Sequence, residues 1–130
     1  ITYNNSGNIS VINTSTNTII NNITLNSNGG EGIDISPDGS TLYFGMQAFV
    51  ESSNNDSIFI INTVTGNIIN KIGFPSQGAL TGIVVSPDGS KVYVTDNSDI
   101  YVINTSTNTI STIISNVGFN LYGLALSPDG

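Results

Sequence analysis

The tetrapeptide Ser-Pro-Asp-Gly occurs three times, at residues 36–39, 86–89 and 127–130. From Pro37 to Pro87 is 50 residues, and from Pro87 to Pro128 is 41. A second motif keeps step with the first. It reads Val-Ile-Asn-Thr-Ser-Thr-Asn-Thr-Ile at residues 11–19 and again, unchanged, at 102–110. Between these two, residues 60–68 read Ile-Ile-Asn-Thr-Val-Thr-Gly-Asn-Ile. A chain patterned in this way builds one small unit several times and stacks the copies, so that neighbours cover each other's apolar faces.

Each period holds four short apolar runs. In the second unit they are residues 32–36, 41–45, 58–62 and 68–73; in the third, 82–86, 91–95, 100–104 and 109–114. They are termed A to D, from the expected axis to the rim. Pro-Asp-Gly suits the A–B hairpin, because Pro presets φ, Asp caps the turn and Gly accepts a positive φ. The Asn-Thr-x-Thr-x-Asn stretch suits the C–D hairpin. The polar, Gly-containing segments 26–30, 74–81 and 115–120 are the expected D-to-A links.

A period near 40 residues with four strands fits a β-propeller blade. The C runs, Ile58-Phe59-Ile60-Ile61 and Ile100-Tyr101-Val102-Ile103, are apolar on both faces. A blade with two neighbours requires this, whereas a sheet with one wet face does not. A parallel β-helix would also bury a continuous core, but with shorter coils and without regular hairpins.

The expected fold is therefore all-β: a partial β-propeller over residues 1–130, with four-stranded antiparallel blades and repeat units 1–39, 40–89 and 90–130. The longer second unit carries an insertion at about residues 46–57, which reads as drift in a surface loop or as a binding loop. Three units are fewer than the four to eight of a typical propeller. The expectation is that the remaining blades come from a longer chain, or that a second copy closes the ring head to tail. The start at Ile1 without Met, and the end on the Gly of a turn, favour an excerpt.

Composition narrows the function. Hydrophobic residues make up 38% and charged residues 8%, so the chain should pack, with Asn, Ser and Thr filling its polar positions. The net charge is −7, and the only cations are Lys71 and Lys91. No basic patch can be built for phosphate neutralisation, so a nucleic-acid partner is excluded. Attraction to an anionic membrane surface is excluded by the same argument. No apolar run is long enough to insert in a bilayer as a helix, and no signal peptide opens the chain.

The segment Tyr93-Val94-Thr95-Asp96, flanked by Ser86-Pro87-Asp88-Gly89 and Val102-Ile103-Asn104-Thr105, resembles the YVTN-type β-propeller repeat of surface-layer proteins. Asp96 replaces the family's final Asn, and Asn104 stands where the family has Asp. Leu42-Tyr43-Phe44-Gly45 keeps only the Tyr. The resemblance implies a cell-surface or extracellular protein, including surface-layer proteins of archaea. It also implies kinship with lactonase-like and haem-carrying propellers. Such a module would be a binding, cell-adhesion or envelope scaffold whose loops contact a protein or glycan. The alternative is a fragment of a lactonase-like or oxidoreductase seven-bladed propeller whose catalytic residues lie outside this chain.

The chain has no His, Arg or Cys. A Ser-His-Asp or Cys-His arrangement, a His-ligated haem and a His/Cys zinc site cannot be assembled within it. The expectation leans away from catalysis. Asp38, Asp88 and Asp129 read as turn caps. Glu31 and Asp34 are the candidate channel or ligand-binding residues. Asp34 stands where the other A runs have Val84 and Ala125, and Glu31 where they have Thr81 and Tyr122. A carboxylate lining an axial channel would be paired, hydrated or cation-bound, and backbone amides or channel water would equally satisfy it.

Two oxygen-rich stretches, Asp96-Asn97-Ser98-Asp99 and Asn54-Asn55-Asp56, offer weak Ca²⁺ ligands without the spacing of an EF-hand, and Asx-rich turns account for both. No other cofactor is expected. Tyr43, Phe44, Phe59, Tyr93 and Tyr101 read as packing between blades.

Overall fold

The structure is a computed structural model that describes residues 2–3, 8–25, 30–46, 56–75 and 80–130. The expected insertion at 46–57, the first two D-to-A links and Asn54-Asn55 lie wholly or largely outside the described residues. Within them the fold is all-β, and every strand pairing is antiparallel. The first sheet holds β1 (Thr2–Tyr3), β2 (Asn8–Asn13) and β3 (Thr18–Thr24). The second holds β4 (Ile33–Ile35), β5 (Thr41–Met46), β6 (Ser57–Asn62) and β7 (Ile68–Gly73) in sequential order. The third holds β8 (Leu80–Val85), β9 (Lys91–Asp96), β10 (Asp99–Asn104) and β11 (Thr109–Ile114), also in sequential order. The described residues contain no closed ring of strands.

The repeated motifs make the hairpins. In each Ser-Pro-Asp-Gly the Gly amide donates to the Ser carbonyl three residues back, at 2.8 Å for Gly39 and Gly89 and 3.0 Å for Gly130. All three glycines have positive φ, from 72° to 94°. The second hairpin is capped by the side chain of its first Asn. Asn13 Oδ1 accepts from the amides of Ser15 and Thr16, Asn62 Oδ1 from those of Val64 and Thr65, and Asn104 Oδ1 from those of Ser106 and Thr107. The role needs only an acceptor, so Asn fills it as Asp would. The left-handed position four residues on is Asn17, Gly66 or Asn108.

A Thr then locks the two turns together. Thr63 Oγ1 donates to the carbonyl of Gly39 at 2.7 Å, and Thr105 Oγ1 to that of Gly89 at 2.7 Å.

The second sheet is buried on both sides, and its alternation assigns each residue to a face. Ile58 and Ile60 join Tyr43 in a core shared with Val92, Val94, Tyr101 and Ile103 of the third sheet. Phe59 and Ile61 join Leu42 and Phe44 in a core shared with Ile9 and Ile23 of the first. Phe74 and Tyr101 meet edge to face, with ring centroids 4.9 Å apart. Of the five aromatics read as packing residues, four are buried and Tyr93 is half-buried.

One local expectation needs correction. Residues 123–127, aligned with the A runs, form no strand. A strand is defined by its ladder, and no described segment pairs with them; Leu121 donates only to the Asn97 carbonyl, at 3.0 Å. The C–D hairpins, for their part, are unevenly paired. In all three the outer strand carries one extra residue, at Ile20, Ile69 and Ser111.

Candidate functional site

The Ser-Pro-Asp-Gly turns of successive units lie side by side and leave a polar groove between each pair. The groove between the second and third sheets has a volume of about 380 Å³. Ser36, Asp38, Ser40 and Tyr43 line one wall, and Asp88, Gly89 and Thr105 the other. The next groove, of about 310 Å³, repeats the pattern with Ser86, Asp88, Ser90 and Tyr93 facing Asp129 and Gly130. Lys91 stands in the second groove where Thr41 stands in the first. Two carboxylates therefore face each groove, and the second also contains a cation.

These carboxylates are held ionised by their own turns. Asp38 Oδ1 accepts from the Ser36 hydroxyl at 2.5 Å, the Ser40 amide at 3.0 Å and the Ser40 hydroxyl at 2.9 Å. The Ser36 hydroxyl above all, then the Ser40 amide and hydroxyl, lower its pKa from 3.8 to about 2. Ser86 and Ser90 do the same for Asp88, also to about 2. The Ser127 hydroxyl lowers Asp129. The expected turn-capping role of these aspartates is what the geometry displays.

A pH dependence follows from the sign of these shifts. The folded-state pKa lies below the unfolded value, so the turn bonds stabilise fully above pH 3.8 and are lost as pH falls from there towards 2. Circular dichroism across that window should show wild-type stability declining. The double variant Asp38→Asn/Asp88→Asn should be less stable at neutral pH and flatter between pH 4 and 2. An unchanged slope in the variant would contradict the assignment.

Asp34 lies on β4, and the structure gives its carboxylate two backbone partners. Oδ2 accepts from the Val85 amide of β8 at 2.7 Å, and Oδ1 from the Ile35 amide at 2.8 Å. It is a tie between the second and third sheets. Glu31 is exposed in the bend before β4, and no contact of the described residues brings it to Asp34. Asp34→Ala would strand the Val85 amide, and an unpaired, partly buried donor costs about 1–3 kcal/mol. Urea unfolding measures that loss, and a change within about 0.5 kcal/mol would mean that the tie carries no net stability.

The opposite edge of the sheets holds a feature that the repeat pattern hid. Asp96, at the end of β9, is 3% exposed, and no donor among the described residues reaches its Oδ1. Burial, then the negative charges of Asp56 and Asp99, push its pKa up to about 6. Asp56, the described end of one oxygen-rich stretch, thus lies near the other. The signal was present in the sequence, but this proximity depends on contacts between units.

No family model and no curated protein matches the chain. Solved structures do. Kuenenia stuttgartiensis hydrazine synthase superposes on 95% of this chain with a TM-score of 0.79 at 21% sequence identity. The chain spans about a third of that protein, 34% of its length, and the likeness is one of fold.

Proposed function

We propose that the chain is part of a β-propeller of the YVTN type and serves as a non-enzymatic binding, adhesion or envelope scaffold at the cell surface. The observation that carries this reading is the recurrence of one polar groove at successive sheet junctions. Ionised carboxylates, hydroxyls and a Tyr line each groove, a set suited to sugar hydroxyls or to a cationic protein loop. The absence of His, Arg and Cys from the sequence supports the non-enzymatic part.

The sequential four-stranded sheets support the propeller. So does the alignment of their first strands: Asp34 of β4 ties to Val85 of β8, and the Thr81 hydroxyl of β8 donates to the Leu121 carbonyl. Further repeats, from a longer chain or a second copy, would cover the apolar residues left outside, such as Phe119 at 91% exposure and Tyr122 at 76%.

Light scattering after size exclusion tests the architecture. A discrete dimer, or a longer chain that becomes monodisperse as repeats are added, is the expected result. A monodisperse, stable monomer of these residues alone would oppose it. A glycan and cationic-peptide array then tests the role. Binding should weaken in the Asp38→Asn/Asp88→Asn variant, and binding that ignores the substitutions would move the site away from the grooves.

The second reading is a piece of an enzyme whose catalytic residues lie outside these residues. The likeness to a third of hydrazine synthase is one of fold alone, so this reading rests on the resemblance of the repeats to those of lactonase-like and oxidoreductase propellers. Turnover by a longer protein, lost on substituting His or Arg in its flanking repeats, would establish that reading over the first.

A further inference from the structure

Asp96 and Asp56 reach the same place from different sheets. Asp96 ends β9, where it pairs in register with Leu80 and Asp99. Asp56 immediately precedes β6, and its carbonyl accepts from the Phe74 amide at 2.9 Å. Leu80 and Phe74 belong to one core cluster, together with Tyr101. Both aspartates therefore cap the same end of the core between the second and third sheets. Asp96 is 3% exposed and Asp56 5%.

Neither lysine of the chain stands at this point. Lys71 lies over the Phe59 ring, 5.5 Å from its centroid, and Phe59 faces the other core. Lys91 starts β9, at the end of the strand opposite Asp96. No other cation exists in the chain. Asp99 adds a third negative group, but its Oδ1 accepts from the Asn116 amide at 2.9 Å. Among the described residues no donor reaches the buried Asp96 Oδ1. A buried anionic oxygen of this kind is stable only when paired, protonated or bound to a metal.

We propose that Asp96 and Asp56 form a binding site for one hard divalent cation of the Ca²⁺ class, joining the second and third sheets. The donor set contains only oxygen, since the chain has neither His nor Cys, and this disfavours zinc and the softer transition metals. Among the described residues no three acidic side chains converge as a ready-made cage. The remaining ligands are then water and carbonyl oxygens, which Ca²⁺ accepts in flexible number and Mg²⁺ accepts less readily. The inference stands on the packing of two sheets and does not depend on the propeller reading.

Calcium titration of the full chain by calorimetry, with thermal unfolding in CaCl₂, MgCl₂, EDTA and NaCl of matched ionic strength, tests it. The expected result is one Ca²⁺ per chain. At a free concentration about a hundredfold above Kd, Tm should rise by on the order of 10 °C. Asp96→Asn and Asp56→Asn should each abolish the response, while the exposed Asp129→Asn retains it. No heat of binding, or a Tm rise that NaCl reproduces, would overturn the proposal. So would an Asp96→Asn chain that is folded and still responds to Ca²⁺. Wild-type calorimetry alone decides the matter if a variant fails to fold.

Discussion

Phe44→Ala should lower the free energy of unfolding by about 3–5 kcal/mol, among the largest losses expected from a single truncation of a described residue. Phe44 is 0% exposed and lies in the core between the first and second sheets, with Leu42, Phe59, Ile61, Ile9 and Ile23. Its neighbours Ile9, Ile23, Leu42, Phe59 and Ile61 stand on strands already committed to ladders, so the cavity cannot collapse freely. Urea unfolding followed by circular dichroism measures the loss. A cost below about 1 kcal/mol would mean that the first sheet moves in to fill the space, and that the junction is softer than its packing implies. Ile60→Ala on the opposite face of β6 probes the other core in the same way, because Ile60 is 1% exposed towards the third sheet.

Gly32→Ala is expected to cost about 1–3 kcal/mol by overpacking. A Cβ at Gly32 would lie 2.7 Å from Ile83 Cγ1 and 3.3 Å from the Ile83 amide nitrogen. The corresponding glycine of the third unit repeats the argument, since a Cβ at Gly82 would lie 2.7 Å from Thr95 Oγ1 and 3.3 Å from the backbone of Gly123. Glycine recurs here because the first strand of one sheet passes within contact of the next. The double variant Gly32→Ala/Ile83→Ala removes the side-chain atoms in conflict. It should therefore be less destabilised than the sum of the two single variants. Strict additivity would show that the clash is relieved elsewhere and that the close approach does not limit the junction.

Much of this fold is legible in the repeats alone. The expected runs 41–45, 58–62 and 68–73 appear as Thr41–Met46, Ser57–Asn62 and Ile68–Gly73, and the third unit agrees as closely. Hairpin turns are legible because Pro-Asp-Gly and Asn-Thr-x-Thr act through bonds only two to five residues long. The two-faced burial of β6 is legible because four consecutive apolar residues admit no wet face. The one-residue bulge is not legible in the first two units, where Ile20 and Ile69 look like core. Ser111 at the same position was the available sign that this side chain points away from it.

The candidate site shows the opposite balance. Asp34 stands out in the alignment of the A runs, but its partner, the Val85 amide, lies 51 residues away and no local rule identifies it. Glu31 stands out equally and remains an exposed residue. The grooves are not legible in the sequence because each wall alone is an ordinary turn, and only the juxtaposition of two turns creates a concavity. Asp96 and Asp56 belong to separate loops of the sequence, and their meeting is a property of the stack.

The extra residue in each outer strand has a consequence for solubility. β3, β7 and β11 each pair on one side only among the described residues, and they carry Ile with a single Lys between them. A straight strand of that composition would be a template for the edge of another molecule. The bulge interrupts the outward row of amides and carbonyls in every copy, and an incoming strand would lose its register after a few residues. In a chain with only two lysines, this irregularity takes over the work that lysines perform at the sheet margins of other proteins.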